Sequence, residues 1–190
     1  MKQRCDWSTS SEVMMKYHDE EWAVPLHDDQ KLFEFLVLEG FQAGLSWQIV
    51  LNKREAFRKA FDQFNPVKVA KYGDEKVNEL LQNKDIIRNK LKIAATVNNA
   101  QRFLEVQNEF GSFDKYIWKF VNYKPMINTF KSMNELPAKT SLSDNISADL
   151  KKRGFKFIGS TVVYAHMQAT GMVNDHLVSC FRHDEVLKSG

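Results

Sequence analysis

Two cysteines occur in the chain, Cys5 and Cys180, near opposite ends of its 190 residues. Each has a histidine at a useful distance: His18 follows Cys5, and His176 precedes Cys180 by four residues. The second spacing is that of one helix face, and a short helix is expected from Asp175 through Cys180. Two thiolates and two imidazoles make a tetrahedral set suited to zinc, and four protein ligands leave no open position, so such a site is structural. Closing so long a loop gives the ion a stabilising role. Spacing alone leaves a second reading open, two unrelated buried cysteines beside histidines placed by chance, because only the His-x-x-x-Cys half is local. His18-Asp19-Glu20 has the His-x-Glu of zinc deaminases, but the Pro-Cys-x-x-Cys those enzymes need is absent, and that chemistry is excluded.

A carboxylate supplies the second candidate. Positions 32, 35, 36 and 39 fall on one helical stripe, occupied by Leu32, Phe35, Leu36 and then Glu39. A carboxylate continuing an apolar stripe either turns to solvent at the helix end or sits in a pocket, where it costs several kcal/mol, of order ~3, unless something pairs with it. Trp7, Tyr17, Trp22 and Trp47 crowd the same part of the sequence. Aromatics usually mean core, but beside a carboxylate they also make a stacking slot for an electron-poor or cationic ring.

The elements that must position these groups read almost entirely as helix. Asp28 or Asp29 caps a helix carrying Leu32 to Glu39, and Ser46 caps another running from Trp47 to Phe61. Asn65-Pro66 and Asp74 open two short helices, and a long one runs from about Arg88 to Gly111. Ser112 caps an aromatic helix, Ser143 one that stops at Gly154, and Thr161 to Thr170 form another before Gly171. Between 123 and 141 the apolar pattern lapses around Pro125 and Pro137, which is where a boundary between two lobes would fall within a single domain spanning 1–190. No strand alternation persists, so the expected class is all-α.

Composition narrows the partners. The longest apolar runs, such as Phe35 to Leu38, cannot span a bilayer, and no basic-then-apolar leader opens the sequence, so the expectation is a cytoplasmic protein. Net charge is only +3, too small to imply a polyanionic partner by itself. Its distribution is uneven: residues 12–34 are acidic, and basic clusters follow at Lys53 to Lys59, Lys84 to Lys92 and Lys151 to Lys156. One face could meet phosphates, or each cluster could be a solvated helix surface.

Four blocks carry a more specific resemblance: Tyr17 to Trp22, Leu38 to Trp47, Lys152 to Gly159, and Val173 to His176. In this order, between Cys5 and Cys180, they resemble the hallmark segments of the 3-methyladenine DNA glycosylase I family. That resemblance implies an all-α, two-lobed helix-hairpin-helix DNA glycosylase fold, with one structural Zn2+ ion held by Cys5, His18, His176 and Cys180 and joining the termini. It implies a DNA-anchoring hairpin at Lys152, Arg153, Gly154, Lys156 and Gly159, whose Gly-bounded turn can offer backbone N–H groups to phosphate. Gly44 and Leu45 fall in the loop expected to fill the gap that a flipped base leaves in the stack. Tyr17 and Trp47 would stack on that base, Trp7 and Trp22 would shape the slot, and Glu39 would bind the adenine edge as the catalytic residue. Three details depart from the pattern: Ala23, where the family usually has glycine, Met14, where some relatives have tyrosine, and Phe41 after Gly40, where the residue varies.

The partner so implied is double-stranded DNA containing alkylated bases, met by a monomer with no membrane contact. An N3-alkylated adenine is already cationic, so its departure neutralises the ring and needs no protonation. Asp175 adjoins His176 and is expected to cap a helix or support the metal rather than to assist water. No motif positions a lysine for Schiff-base chemistry, so a monofunctional enzyme is expected. The alternatives are a non-catalytic DNA-lesion binding module of the same fold and a zinc-stabilised helical interaction domain.

Overall fold

A computed structural model describes residues 2–186. Eleven α-helices are present among them: α1 (Glu12–Glu20), α2 (Asp29–Gln42), α3 (Trp47–Asn52), α4 (Arg54–Ala60), α5 (Pro66–Val69), α6 (Asp74–Gln82), α7 (Lys90–Phe110), α8 (Phe113–Trp118), α9 (Ser141–Lys152), α10 (Ser160–Ala169) and α11 (Arg182–Glu185). The sole pairing of strands among the described residues is two residues long and parallel, β1 (Met126–Ile127) beside β2 (Val173–Asn174). It lies partly in the segment expected to be merely extended. A mostly helical architecture is therefore observed. No helix among the described residues is long and apolar enough to cross a membrane.

The caps explain most boundaries. Asp28 accepts from Lys31 N and starts α2, while Asp29 reaches across to accept from Phe113 N and Asp114 N at the start of α8. Ser46, Asn65, Asn89 and Ser112 cap α3, α5, α7 and α8 through their side chains. Gly111 ends α7 at φ 86°, the left-handed conformation glycine adopts without a steric penalty.

Three local expectations need correction. The helix expected from Trp47 to Phe61 is two helices broken at Lys53, which closes α3 and opens α4. No glycine or proline marks that break in the sequence. Thr140, not Ser143, caps α9; Ser143 is the N3 residue of a reciprocal capping box. Residues 175–180 form no helix, and the last short helix begins at Arg182. α1, which the periodicity did not single out, is capped by Ser11 accepting from Met14 N.

The central helix is α2. Every residue from Leu32 to Phe41 is buried, glutamates included, as befits a helix enclosed on all sides. It packs on α3, α7, α8 and α10. The main apolar cluster gathers Phe33, Phe41, Phe57, Phe61, Phe103 and Trp118, and a smaller one gathers Tyr17, Trp22, Phe35 and Leu177 beside the two cysteines.

Gly171 closes α10 at φ 72°, and a Cβ there would lie 2.4 Å from Pro25 N and Val24 C. The segments are stitched together by Ala23 N donating to Gln168 O and Leu26 N to Thr170 O. Gly171→Ala combines a left-handed backbone with a backbone clash and is expected to cost about 3 kcal/mol or more. A thermal melt should show its midpoint lowered by roughly 6–12 °C; an unchanged midpoint would remove the close approach from the account. Ala23 is itself left-handed at φ 63°, the conformation for which glycine is the usual residue.

Candidate functional site

A cavity of about 310 Å³ opens between α1, α2, α3, α10 and the segment around Met133. Trp7, Tyr17, Trp22 and Trp47 line it together with Glu39, as do Met14, Gln42 and Gln168. All five residues expected to form the pocket are thus brought together. The Tyr17 and Trp47 ring centroids are 5.5 Å apart and tilted by 56°, and Trp7 meets Trp22 edge-on at 5.0 Å. Holding a planar ring between Tyr17 and Trp47 would need a separation of roughly 7 Å, two van der Waals gaps. A flat ligand therefore lies on these faces rather than between them.

Two buried glutamates on α2 are treated differently. Glu34 accepts from Arg54 and Arg58, which also engage Glu21 and Glu55. Much of the first basic cluster is thereby consumed by the acidic stretch. Glu39 has no such cation. Its Oε2 accepts from His166 Nδ1 at 3.0 Å, and its Oε1 is buried without a partner. Burial pushes the Glu39 carboxyl above the usual carboxylate range, and His166 offsets part of that rise. Burial, and then the neighbouring Glu39, push the Tyr17 phenol up, so it stays protonated and can donate. The cavity therefore has aromatic walls and one acceptor oxygen with nothing to accept from. Such a site suits a planar ligand that brings hydrogen-bond donors and positive charge.

The Cys5, His18, His176 and Cys180 ligand atoms lie within 4.8 Å of one another, all on buried residues. Cys180 Sγ is 3.4 Å from His18 Nε2 and 3.6 Å from His176 Nδ1, and Cys5 Sγ is 3.8 Å from His176 Nδ1. A tetrahedron with metal–sulfur bonds of about 2.3 Å and metal–nitrogen bonds of about 2.0–2.1 Å has edges of roughly 3.3–3.8 Å, so the cluster fits a small metal ion. Each imidazole is held from behind. His18 Nδ1 is 2.8 Å from Asp19 Oδ1, Asp19 is gripped by Arg4, and His176 Nε2 is 3.2 Å from Trp22 O. Those contacts leave one nitrogen of each ring facing the sulfurs, as ligation requires. A hydrogen bond from Cys5 pulls the Cys180 thiol down, and the same bond, with burial, pushes Cys5 up.

His176 and Cys180 converge through an irregular turn rather than a helix. Its backbone is tied by Phe181 N to Gln3 O and Val178 N to Phe130 O. Asp175 neither starts a helix nor touches the cluster. Its carboxylate accepts from Asn128 Nδ2, Tyr164 OH and Gln168 Nε2, at 2.6, 2.6 and 2.8 Å. Because Asp175 only accepts, the Gln168 amide points its NH2 inward and leaves its oxygen as the group it can offer the cavity.

The remaining candidates fall on two turns. Gly44, at φ 83°, and exposed Leu45 form the turn between α2 and α3. α9 and α10 form a hairpin whose turn carries Gly154, at φ 89°, exposed Lys156, and Gly159 as the N-cap of α10. Lys152 is exposed at the end of α9, but the Arg153 guanidinium is committed to Glu109 and Asp149. One helix grips both turns. From α7, Lys92 Nζ donates to Phe41 O and Ala43 O, Asn98 to Gly154 O, and Asn99 to Lys156 O. Lys92 is thus a buried structural cation and not part of a solvated basic face.

Sequence reasoning missed Gln42, Met133, Leu136, Ala165 and Gln168 in the cavity, and His166 behind it. Met133 and Leu136 come from the segment without periodicity, which gave no signal. His166 was visible as a titratable residue inside an apolar helix.

Residues 7–183 match the family model described as methyladenine glycosylase. The chain is 48% identical over 178 residues to DNA-3-methyladenine glycosylase 1 of Escherichia coli (strain K12), covering 94% of this chain and 95% of that one. It is 46% identical over 180 residues to DNA-3-methyladenine glycosylase of Haemophilus influenzae, covering 95% and 97%. A solved structure concerned with 3-methyladenine recognition by 3-methyladenine DNA glycosylase I from Staphylococcus aureus superposes with a TM-score of 0.91 at 36% identity, covering 94% of this chain and 95% of that one.

Proposed function

Since the chain belongs to the methyladenine glycosylase family, we propose that it is a DNA-3-methyladenine glycosylase whose substrate is alkylated double-stranded DNA and whose cavity receives the flipped base. The observation that carries the residue-level reading is Glu39: a buried carboxylate with one unpartnered oxygen in an aromatic cavity. A base methylated at N3 bears a positive charge and an amino group, which supply what that oxygen lacks. Trp47 and Tyr17 give it π-faces, Trp7 and Trp22 close the slot, and Gln168 offers an acceptor to the same edge.

In the reaction the C1′–N9 bond breaks, its electron pair neutralises the departing ring, and water adds to C1′ with loss of a proton to solvent. Glu39 favours the cationic base as it leaves the stack and holds it in line for departure. Asp175 accepts from three donors, which supports a structural role. The buried Lys92 ammonium is held by two carbonyls, which supports hydrolysis without strand cleavage.

Leu45, exposed on a turn that glycine can bend, would fill the vacated place in the stack. Lys152, Lys156 and the backbone at Gly154 and Gly159 would anchor phosphate, with Arg153 bracing the hairpin from behind. The ion we assign to Cys5, His18, His176 and Cys180 is zinc, for which two thiolates and two imidazoles in a closed buried set are the matching donors. It would supply cross-linking and no chemistry. The cavity, cluster and hairpin come from one chain, so a monomer suffices. Both cysteines are free, in keeping with the reducing cytoplasm. The deciding experiment is chromatography of the bases released from methylated duplex DNA. Release of 3-methyladenine is expected; binding to abasic DNA without release would favour a lesion-binding module.

A further inference from the structure

His166 takes no part in lining the cavity, although its helix neighbours Ala165 and Gln168 do. It lies behind Glu39, 2% exposed, with Nδ1 3.0 Å from Glu39 Oε2 and with no partner for Nε2. An ionised carboxylate only accepts, so Nδ1 must carry the hydrogen. The arrangement therefore makes His166 a donor to Glu39 through Nδ1. Its backbone is pinned as well: His166 O accepts from Thr170 Oγ1 at 2.7 Å.

Building on the glycosylase reading above, we propose that His166 is a positioning residue for base recognition. Its Nδ1–H fixes Glu39 Oε2 and leaves Oε1, buried with no other partner, as the atom that meets the cationic base. Two features make this more than packing. Glu34, on the same helix, is neutralised by arginines, and an arginine or lysine behind Glu39 would cancel the charge the base is meant to meet. The histidine instead holds the carboxylate through one directional bond. The group that meets an alkylated adenine is then a carboxylate oxygen aimed by its support.

The test compares the native protein with His166→Ala and His166→Asn, the latter keeping an amide donor near the position of Nδ1. Single-turnover release of 3-methyladenine from methylated duplex and affinity for an abasic-site duplex are measured together. His166→Ala should slow release by about tenfold to a hundredfold, the loss of one hydrogen bond to a charged group. Abasic-DNA affinity should stay within about twofold, and His166→Asn should recover most of the release rate, as a bond of this kind is restored by any matching donor. Native-like release by His166→Ala overturns the proposal. So does an equal loss in both variants, since that marks a packing role. Failure of the native protein to release the base would strike the glycosylase reading instead, so the two failures are distinguishable.

Discussion

Glu39→Gln should leave a folded, metal-loaded protein whose release of 3-methyladenine is lowered by about 10²- to 10³-fold, the scale of losing roughly 3–4 kcal/mol of electrostatic stabilisation in a dry site. The chemistry of the substitution sharpens this. His166 Nδ1–H needs an acceptor, so the new amide turns its oxygen toward His166 and its NH2 toward the cavity. An amino group then meets the amino group of the base, and the negative charge is gone. Stability should move the other way. Burial raises the Glu39 pKa, so the folded state holds that proton more tightly than the unfolded chain does. Its ionisation above the raised pKa therefore costs folding free energy, and the cost grows as pH rises through that pKa. The glutamine variant lacks this cost and should melt no lower than the native protein at neutral pH. Activity has the complementary dependence. Release by the native protein should fall as pH drops through the raised pKa and the carboxylate is lost, and this acid limb should be missing from the residual rate of the variant. Equal release by both proteins would remove Glu39 from the mechanism.

Cys180→Ser is expected to lower metal content and stability together. The native protein should carry one ion per chain, with zinc expected by elemental analysis. Losing one of four ligands, between chain segments otherwise joined by few bonds, should cost about 3–5 kcal/mol, a midpoint shift of roughly 6–20 °C in a protein of this size. Chelation supplies the control. A strong chelator should bring the native melt down towards that of the variant and leave the variant unmoved. A variant as stable as the native protein, or a native protein indifferent to chelation and free of metal, would refute the clamp.

Much of the site was legible in the residues. The Cys5, His18, His176 and Cys180 set was found by ligand type, although the helix drawn to unite its second half does not exist. Chain reversal at 175–180 achieves the convergence with backbone bonds to Gln3 and Phe130, partners too distant in sequence for any local pattern to reveal. Glu39 was found for an incomplete reason. Its apolar stripe does not distinguish it from Glu34, since α2 is buried on all sides; what distinguishes it is the absence of an arginine. Pairing of that kind is a tertiary fact, and so is the burial of Lys92, which in sequence looks like one more member of a basic run. Caps made by Asp, Asn and Ser side chains were readable because their bonds span only two or three residues. The break at Lys53 was not, because no residue type signals it.

The Cys2His2 cluster also shares a wall with the cavity. Trp22 stacks against His18 and meets His176 edge-on at 4.6 Å, while Trp7 packs edge-on against both His18 and Trp22. Two of the aromatic walls of the cavity thus lean on imidazoles, His18 and His176, contributed by segments far apart in the chain. Opening the Cys2His2 cluster would therefore also slacken the backing of the cavity's aromatic wall, so the two behave as one mechanical unit.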